Sequence, residues 1–216
     1  MSYIAIEGAI GAGKTTLAEQ LAERLGAKLV LEQFEENPFL SSFYEDRRAH
    51  AFQTQIFFLL SRFRQQKAVL QTDLFYENVV SDYLFAKDRI FASINLSEEE
   101  LALYDEVEQA LVKSVPVPDV VIYLQADVPE LLEGVRRRGR PFEQNLSPDY
   151  LSQVVEAYND YFFHYRESRL IVVNAQDVDF FTNPEQVERL LKAMYREPHP
   201  PVEYLSVPPP TPIFSS

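Results

Sequence analysis

The segment GAIGAGKT, from Gly8 to Thr15, combines residue types and spacing that can do chemistry. It fits the pattern GxxxxGK[ST], and it follows a short apolar stretch and precedes leucines at helical spacing. In such a loop the glycines let main-chain N–H groups surround a phosphate, and the helix N-terminus adds positive potential. The sequence therefore predicts a triphosphate site, in which Lys14 neutralises the β- and γ-phosphates and the Thr15 hydroxyl is available to Mg²⁺.

Four arginines cluster in RRRGRPFE, from Arg136 to Glu143, although the whole chain has a net charge of −13. The cluster follows a predicted helix and is punctuated by Gly139 and Pro141. This pattern indicates an arginine lid that closes over a transferred phosphoryl group. A solvated helix end, where the helix dipole favours cations, is the alternative interpretation.

Two isolated acids, Glu32 and Asp82, come at the ends of predicted strands, where parallel sheets bind their ligands. Phosphoryl transfer to a hydroxyl group needs a proton acceptor, a divalent ion and cations over the phosphoryl group. The chain lacks the NKxD and DxxG strings of GTPases, and the strand 119–125 ends in glutamine rather than in the acid of a mechanical ATPase. A kinase that acts on a small molecule is the interpretation that these residues favour.

The elements that must position these residues alternate between strands and helices. Five strands are predicted, at 2–7, 28–31, 79–83, 119–125 and 170–174. Helices are predicted between and after them, at 17–25, 50–70, 101–113, 128–137, 147–166 and 184–195. This order predicts an α/β fold, a five-stranded parallel sheet with helices on both faces, of the P-loop kinase type with an arginine lid.

Composition sets the remaining expectations. The 216 residues are 46% hydrophobic and 25% charged, which is typical of a globular domain, and the acidic balance argues against a nucleic-acid partner. The chain has no cysteine, only three scattered histidines, and no apolar run near the roughly 20 residues that span a bilayer. We therefore expect no membrane association, a cytoplasmic location, a catalytic domain over residues 1–197, and an extended proline-rich tail over residues 198–216.

Several segments, in this order, resemble the deoxynucleoside kinase family, most closely its bacterial deoxyadenosine and deoxyguanosine kinase branch. They are GAIGAGKTT, LEQFEENPFLSSFYED, QIFFLLSRFRQ, SDYLFAKDRIFA, and PDVVIYLQA leading to RRRGRPFE. The resemblance covers about residues 1–195. It implies a homodimeric, Mg²⁺-dependent kinase that transfers the γ-phosphoryl group of ATP to the 5′-hydroxyl of a deoxynucleoside, with deoxyadenosine as first choice and deoxyguanosine or deoxycytidine as alternatives.

The resemblance also implies roles for individual residues on the nucleoside side. Glu32 would be the general base for the 5′-hydroxyl, with Glu35 as the fallback. Tyr44 and Glu143 would bind the 3′-hydroxyl from opposite sides. The residues expected to contact the base are Gln55, Arg62, Asp88 and Phe91. Gln55 and Arg62 are one heptad apart, which places both on one helix face, and a glutamine can donate to and accept from a base edge at once.

On the phosphate side, the expected ATP-binding residues are Gly8, Ala9, Ile10, Gly11, Ala12, Gly13, Lys14, Thr15, Thr16, Arg136 and Arg138. Catalysis is assigned to Glu32, Lys14, Arg138 and Arg140, and Mg²⁺ to Thr15 and Asp82, the latter also near the substrate. One position departs from the family, because many members have arginine directly after the acid of strand three, where this chain has Tyr83.

Two rival functions stay open on sequence grounds. A nucleoside monophosphate kinase of the thymidylate type shares the loop and lid, but it needs a further arginine near the acceptor, and Tyr83 occupies the expected place. A catalytically inactive nucleotide-binding protein would leave Glu32 and the Gln55, Arg62 and Asp88 set unexplained. The clues to the base are mixed, because the lid segment resembles guanosine-preferring relatives whereas Gln55 and Asp88 resemble adenosine- or cytidine-preferring ones.

Overall fold

The structure is a computed structural model, and it describes residues 2–70, 76–143, 146–178, 180 and 183–205. Six strands form one parallel sheet in the order β2-β3-β1-β4-β5-β6. They are β1 (Ser2–Gly8), β2 (Lys28–Val30), β3 (Asn78–Ser81), β4 (Val120–Gln125), β5 (Arg169–Asn174) and β6 (Val202–Leu205). The predicted parallel α/β architecture is confirmed, but the prediction of five strands is wrong by one.

Eight α-helices connect the strands within the described residues. They are α1 (Lys14–Leu25), α2 (Leu40–Glu45), α3 (Arg47–Leu70), α4 (Lys87–Asn95), α5 (Glu98–Val112), α6 (Val128–Arg138), α7 (Pro148–His164) and α8 (Pro184–Met194). The predicted helices agree with these bounds to within a few residues, whereas α4 was not predicted. None of the described helices is long and apolar enough to cross a bilayer.

The central strands are apolar on both sides because helices cover both faces of the sheet. Tyr3 and Ala5 of β1 face a core that includes residues of α4, α6 and α7. Ile4 and Ile6, which alternate with them, face a second core made with α1 and α8. The alternation of side chains along one strand thus fixes which helix lies on which face.

The sixth strand corrects our expectation that the segment after residue 197 is an extended tail. Residues 202–205 pair in parallel with β5, and the buried guanidinium of Arg169 ties the two strands together by an ion pair of 3.1 Å with Glu203. Pro201 lies just before the strand, where a missing N–H does not interrupt the ladder. The rest of the predicted tail, from residue 206, lies outside the described residues.

The sheet brings the ends of β1, β2 and β3 to one edge, where the phosphate-binding loop runs from β1 into α1. Gly11 and Gly13 have φ angles of 93° and 89°, a region that favours glycine. Gly134 of α6 packs directly against the backbone of Gly11, so that a methyl group at residue 134 would collide with the Gly11 carbonyl. The loop and the helix that carries the arginines are therefore in close backbone contact.

Candidate active site

A cavity of about 640 Å³ opens at the carboxyl edge of the sheet. The phosphate-binding loop forms one end, α3 and α4 form the other, and the arginine segment after α6 closes one side. It combines main-chain donors, charged side chains and aromatic rings. The arrangement suits a ligand with a polyanionic part and a planar apolar part.

Lys14, the first residue of α1, lies at the phosphate end of the cavity. Its ammonium group donates to the carbonyl oxygens of Gly8 at 2.8 Å and Ala9 at 3.1 Å. Burial is the main cause that lowers the pKa of Lys14, and the positive charge of Lys87 is the second; together they bring it to about 8. An anionic ligand would relieve both effects, because it offers the ammonium group a partner of opposite charge.

Asp82 links the loop to the end of β2. Its Oδ2 accepts a hydrogen bond from the Thr15 hydroxyl at 2.7 Å, and its Oδ1 accepts from the Glu32 main-chain N–H at 2.8 Å. No group of three or more histidine, aspartate or glutamate side chains that could hold a metal occurs in the described part of the chain. One hydroxyl and one carboxylate nevertheless fit Mg²⁺, which takes its other ligands from phosphates and water.

Glu32 lies beside Asp82 with both carboxylate oxygens in use. Oε1 pairs with the Arg62 guanidinium, and Oε2 accepts from the Lys87 ammonium at 2.5 Å. Burial by itself would raise the pKa of this carboxyl, but the charges of Arg62 and Lys87 outweigh it and hold the pKa well below its usual range. Glu32 is therefore ionised, which is the state that a proton acceptor requires.

The opposite end of the cavity is lined by Gln55, Arg62 and Phe91. Arg62 pairs with Asp88 as well as with Glu32, and its guanidinium lies 4.8 Å from the centre of the Phe58 ring. The side-chain oxygen Oε1 of Gln55 is buried and has no hydrogen-bond partner among the described residues. This end thus offers aromatic surface and an unused hydrogen-bonding group to a planar ligand.

The lid residues line the side of the cavity. Arg138 makes a bidentate pair with Glu143, with contacts of 2.5 and 3.1 Å, and Arg140 lies 3.6 Å from the same carboxylate. The Arg140 guanidinium also stacks over the Phe34 ring at 3.7 Å. Burial, followed by repulsion from Arg138, lowers the pKa of Arg140. Tyr44 lines the same part of the cavity, and burial raises the pKa of its hydroxyl above the usual range.

Most residues singled out from the sequence line this one cavity. They are Ile10, Gly11, Ala12, Gly13, Lys14, Thr15, Thr16, Glu32, Tyr44, Gln55, Arg62, Asp82, Phe91, Arg138, Arg140 and Glu143. Five others lie outside the lining. Gly8 and Ala9 are buried at the start of the loop, Asp88 lies behind Arg62, and Glu35 and Arg136 are exposed.

The sequence analysis missed several residues at the site. Lys87 lines the cavity, as does Phe34 under Arg140. Glu7 is fully buried next to the loop. A charged residue inside the apolar strand β1 was the available signal for Glu7, whereas Lys87 gave no signal beyond its place next to Asp88.

The chain is similar to known proteins over nearly its whole length. A model of the deoxynucleoside kinase family matches residues 4–197. Deoxyguanosine kinase from Bacillus subtilis is 35% identical over 195 residues, 87% of this chain and 93% of that protein. Deoxyadenosine/deoxycytidine kinase from the same organism is 30% identical over 198 residues, 88% and 90% of the two chains.

A solved structure supports the same relationship. Deoxyadenosine kinase from M. mycoides with bound dATP matches with a TM-score of 0.80 at 25% sequence identity, covering 91% of this chain and all of that chain. The residues matched by the family model include every residue that lines the cavity and end before β6.

Proposed function

The chain belongs to the deoxynucleoside kinase family, whose members are ATP-dependent phosphotransferases, and from this premise we propose that its acceptor is deoxyadenosine. The unpartnered Oε1 of Gln55, buried in the cavity wall, carries this proposal. A buried acceptor without a donor costs about 1–3 kcal/mol, so the site favours a ligand that supplies an N–H group. A glutamine amide can bind adenine in a bidentate manner, accepting from N6 and donating to N7.

Guanine suits this site less well because of the neighbouring charges. Guanine presents two acceptors, O6 and N7, whereas adenine presents the N6 amine beside its N7 acceptor. Arg62, the cation that could donate to them, already pairs with Glu32 and Asp88. Asp88, which lies outside the cavity lining, therefore holds Arg62 in place.

In the proposed reaction the 5′-oxygen of the nucleoside attacks the γ-phosphorus of ATP. The new O–P bond forms as the bond between the γ-phosphorus and the β,γ-bridging oxygen breaks, ADP leaves, and Glu32 accepts the hydroxyl proton. Lys14, Arg138 and Arg140 stabilise the charge on the transferred group. Mg²⁺, bound through Thr15 and Asp82, would neutralise negative charge on the phosphates.

We assign the sugar to the part of the cavity between α2 and the lid. Tyr44 and Glu143 both line it, so a 3′-hydroxyl placed between them can accept from one and donate to the other. Glu143 now pairs with Arg138, and closure of the lid on phosphate would move Arg138 from this carboxylate to the phosphoryl group. The 3′-hydroxyl would then replace Arg138 as the partner of Glu143.

A panel of the four deoxynucleosides and their ribose counterparts tests the choice of base. Deoxyadenosine should give the highest kcat/KM. The change Gln55→Leu should lower kcat/KM for deoxyadenosine by roughly 5- to 150-fold, equivalent to about 1–3 kcal/mol, with little change in the KM for ATP. Gln53→Leu, on the same helix but outside the cavity lining, is the control. A preference for deoxyguanosine, or equal effects of both changes, would refute this assignment.

The change Glu32→Gln tests the chemistry. Turnover should fall by about 10²–10⁴-fold while the KM for both substrates is largely kept. Glu35→Gln, which alters an exposed carboxylate outside the cavity lining, should retain turnover. The reverse result would move the role of base to Glu35. Nucleoside monophosphates offered as acceptors should give no turnover, and turnover with thymidylate would favour the monophosphate kinase alternative.

We further propose that the protein works as a homodimer in the cytoplasm, where ATP is available. Leu60 of α3 is 41% exposed and Leu103 of α5 is 50% exposed, on helices that pack against each other. Burying such side chains between two copies would stabilise a dimer. Sedimentation should therefore give twice the monomer mass, and Leu103→Glu should shift it towards the monomer. A monomeric unmodified protein would contradict the proposal.

A further inference from the structure

Lys87 is a buried cation at the site to which the proposed mechanism gives no role. It is the first residue of α4, and its side chain is only 8% exposed. Its ammonium group bonds to Oε2 of Glu32 and lies 5.9 Å from the centre of the Phe91 ring. An ammonium group has three donors, and Glu32 is the single hydrogen-bond acceptor that the described residues provide for it.

Lys87 lies near a second buried ammonium group, that of Lys14, which lines the same cavity. Lys14 lies near enough for the charge of Lys87 to lower its pKa, so two buried ammonium groups repel each other across the cavity. Lys14 itself has only carbonyl partners among the described residues. A phosphoryl group between the two lysines would turn this repulsion into attraction.

The same contact restrains the proposed base. A carboxylate oxygen that already accepts from an ammonium group is a poor acceptor for a further proton, and the other oxygen of Glu32 is held by Arg62. One of the two cations must leave before Glu32 can act. Arg62 is also paired with Asp88 and packed on Phe58, whereas Lys87 has no second carboxylate among the described residues and a flexible side chain.

We infer that Lys87 is a catalytic residue whose ammonium group moves from Glu32 to the γ-phosphoryl oxygens when the triphosphate binds. This inference rests on the proposed function of the site. The movement leaves Oε2 of Glu32 free to accept the 5′-hydroxyl proton, and it adds a cation where negative charge develops.

The inference also explains the departure noted in the sequence. Tyr83, which stands where many family members have arginine, is fully buried and does not line the cavity. Position 83 therefore supplies no cation to the phosphoryl group. Lys87 does line the cavity, and it provides the positive charge that position 83 lacks. It lies four residues after Tyr83 and one helix turn before Phe91.

The test compares Lys87→Met and Lys87→Arg with Arg89→Met. Arg89 is on the same helix, pairs with Asp105 and lies outside the cavity lining, so its replacement removes the same charge without touching the site. Calorimetry measures the affinities of MgATP and MgADP, which differ by the γ-phosphoryl group. Steady-state kinetics with deoxyadenosine measure kcat and KM, and thermal unfolding confirms that each variant is folded.

Lys87→Met should weaken MgATP binding by about tenfold while MgADP binding changes much less, because one charged hydrogen bond to the γ-phosphate is lost. The kcat should fall by about 10²–10³-fold, as for the loss of one preorganised donor to a transition state. Lys87→Arg should keep the preference for MgATP and part of the turnover, and Arg89→Met should match the unmodified protein.

An unchanged ratio of MgATP to MgADP affinity in Lys87→Met, or unchanged kcat, would overturn the inference. If Lys87→Met does not fold, Lys87→Arg is the deciding variant. It keeps the positive charge, so loss of the preference for MgATP over MgADP in folded Lys87→Arg would also contradict the inference. Failure of the proposed function gives a different result. The unmodified protein would then show no turnover with any deoxynucleoside, while the two affinities would still report whether Lys87 contacts the γ-phosphate.

Discussion

The buried carboxylate of Glu7 offers a quantitative test of how the site is held together. Its Oε2 accepts from the Gly8 N–H at 2.9 Å and from the Tyr158 hydroxyl at 3.0 Å, and its Oε1 accepts from the Leu84 N–H at 2.9 Å. These three donors belong to the phosphate-binding loop, to α7 and to the segment before α4. Glu7 therefore connects both ends of the cavity, although it does not line it.

We expect Glu7→Gln to destabilise the protein, because the amide has one acceptor where the carboxylate has two. Either orientation of the amide turns its NH₂ group towards a main-chain N–H and leaves that donor without a partner. A buried unsatisfied donor costs about 1–3 kcal/mol. For a chain of this length each kcal/mol lowers the melting temperature by about 2–4 °C, so the expected decrease is about 2–12 °C.

The assay is thermal unfolding followed by circular dichroism, together with the KM values for ATP and deoxyadenosine. Both KM values should rise, because the loop and α4 are loosened together. Glu19→Gln, at an exposed position on α1, makes the same chemical change and should alter stability by less than about 0.5 kcal/mol. If the two variants have the same melting temperature and Glu7→Gln leaves both KM values unchanged, Glu7 does not perform this connecting role.

Three further perturbations test other contacts. Gly134→Ala should lower both the melting temperature and the affinity for ATP, because the added methyl group meets the Gly11 carbonyl, and overpacking costs about 1–3 kcal/mol. Calorimetry in buffers of different ionisation enthalpy should show proton uptake on ATP binding near pH 8 to 9 and none near pH 6. Burial and Lys87 lower the pKa of Lys14 to about 8, so Lys14 is partly neutral only at the higher pH, and a bound phosphate raises its pKa again. Arg169→Met should increase hydrogen exchange across residues 202–205, since the guanidinium bonds to carbonyl oxygens at the end of α8 and to the carboxylate on β6. Unchanged values in any of these measurements would contradict the contact concerned.

The strands that could be predicted are those whose own residues show a strand pattern. β1, β3, β4 and β5 are apolar runs bounded by polar or turn-forming residues, which is typical of buried parallel strands. β6 has no such pattern, because VEYL stands between prolines and, among the described strands, pairs with β5 alone. It is attached by backbone pairing with β5 and by the contact of Glu203 with Arg169, which are far apart in sequence and which no local pattern relates.

The helix α4 and its first residue, Lys87, could not be predicted because the sequence there also lacks a local signal. Its first turn has no side-chain cap, since the residue before it is Ala86, and the helix has only nine residues. Without that helix the sequence could not place Lys87 beside Glu32. The phosphate-binding loop, by contrast, was predictable as a whole, because its chemistry depends on backbone conformation at residues that are consecutive in the chain.

The chain has a net charge of −13, yet it is proposed to bind a polyanion. It can do so because cations of the site exchange their carboxylate partners for phosphate oxygens. Without a nucleotide, Lys87 pairs with Glu32 and Arg138 pairs with Glu143, so neither the buried ammonium group of Lys87 nor the buried carboxylate of Glu143 is left uncompensated. A triphosphate that takes over both cations frees Oε2 of Glu32 from Lys87 and the carboxylate of Glu143 from Arg138. Since these are the groups proposed to bind the 5′- and 3′-hydroxyls, the arrival of the phosphate donor prepares the acceptor site. Ordered use of the two substrates thus follows from the pairing of charges within one cavity.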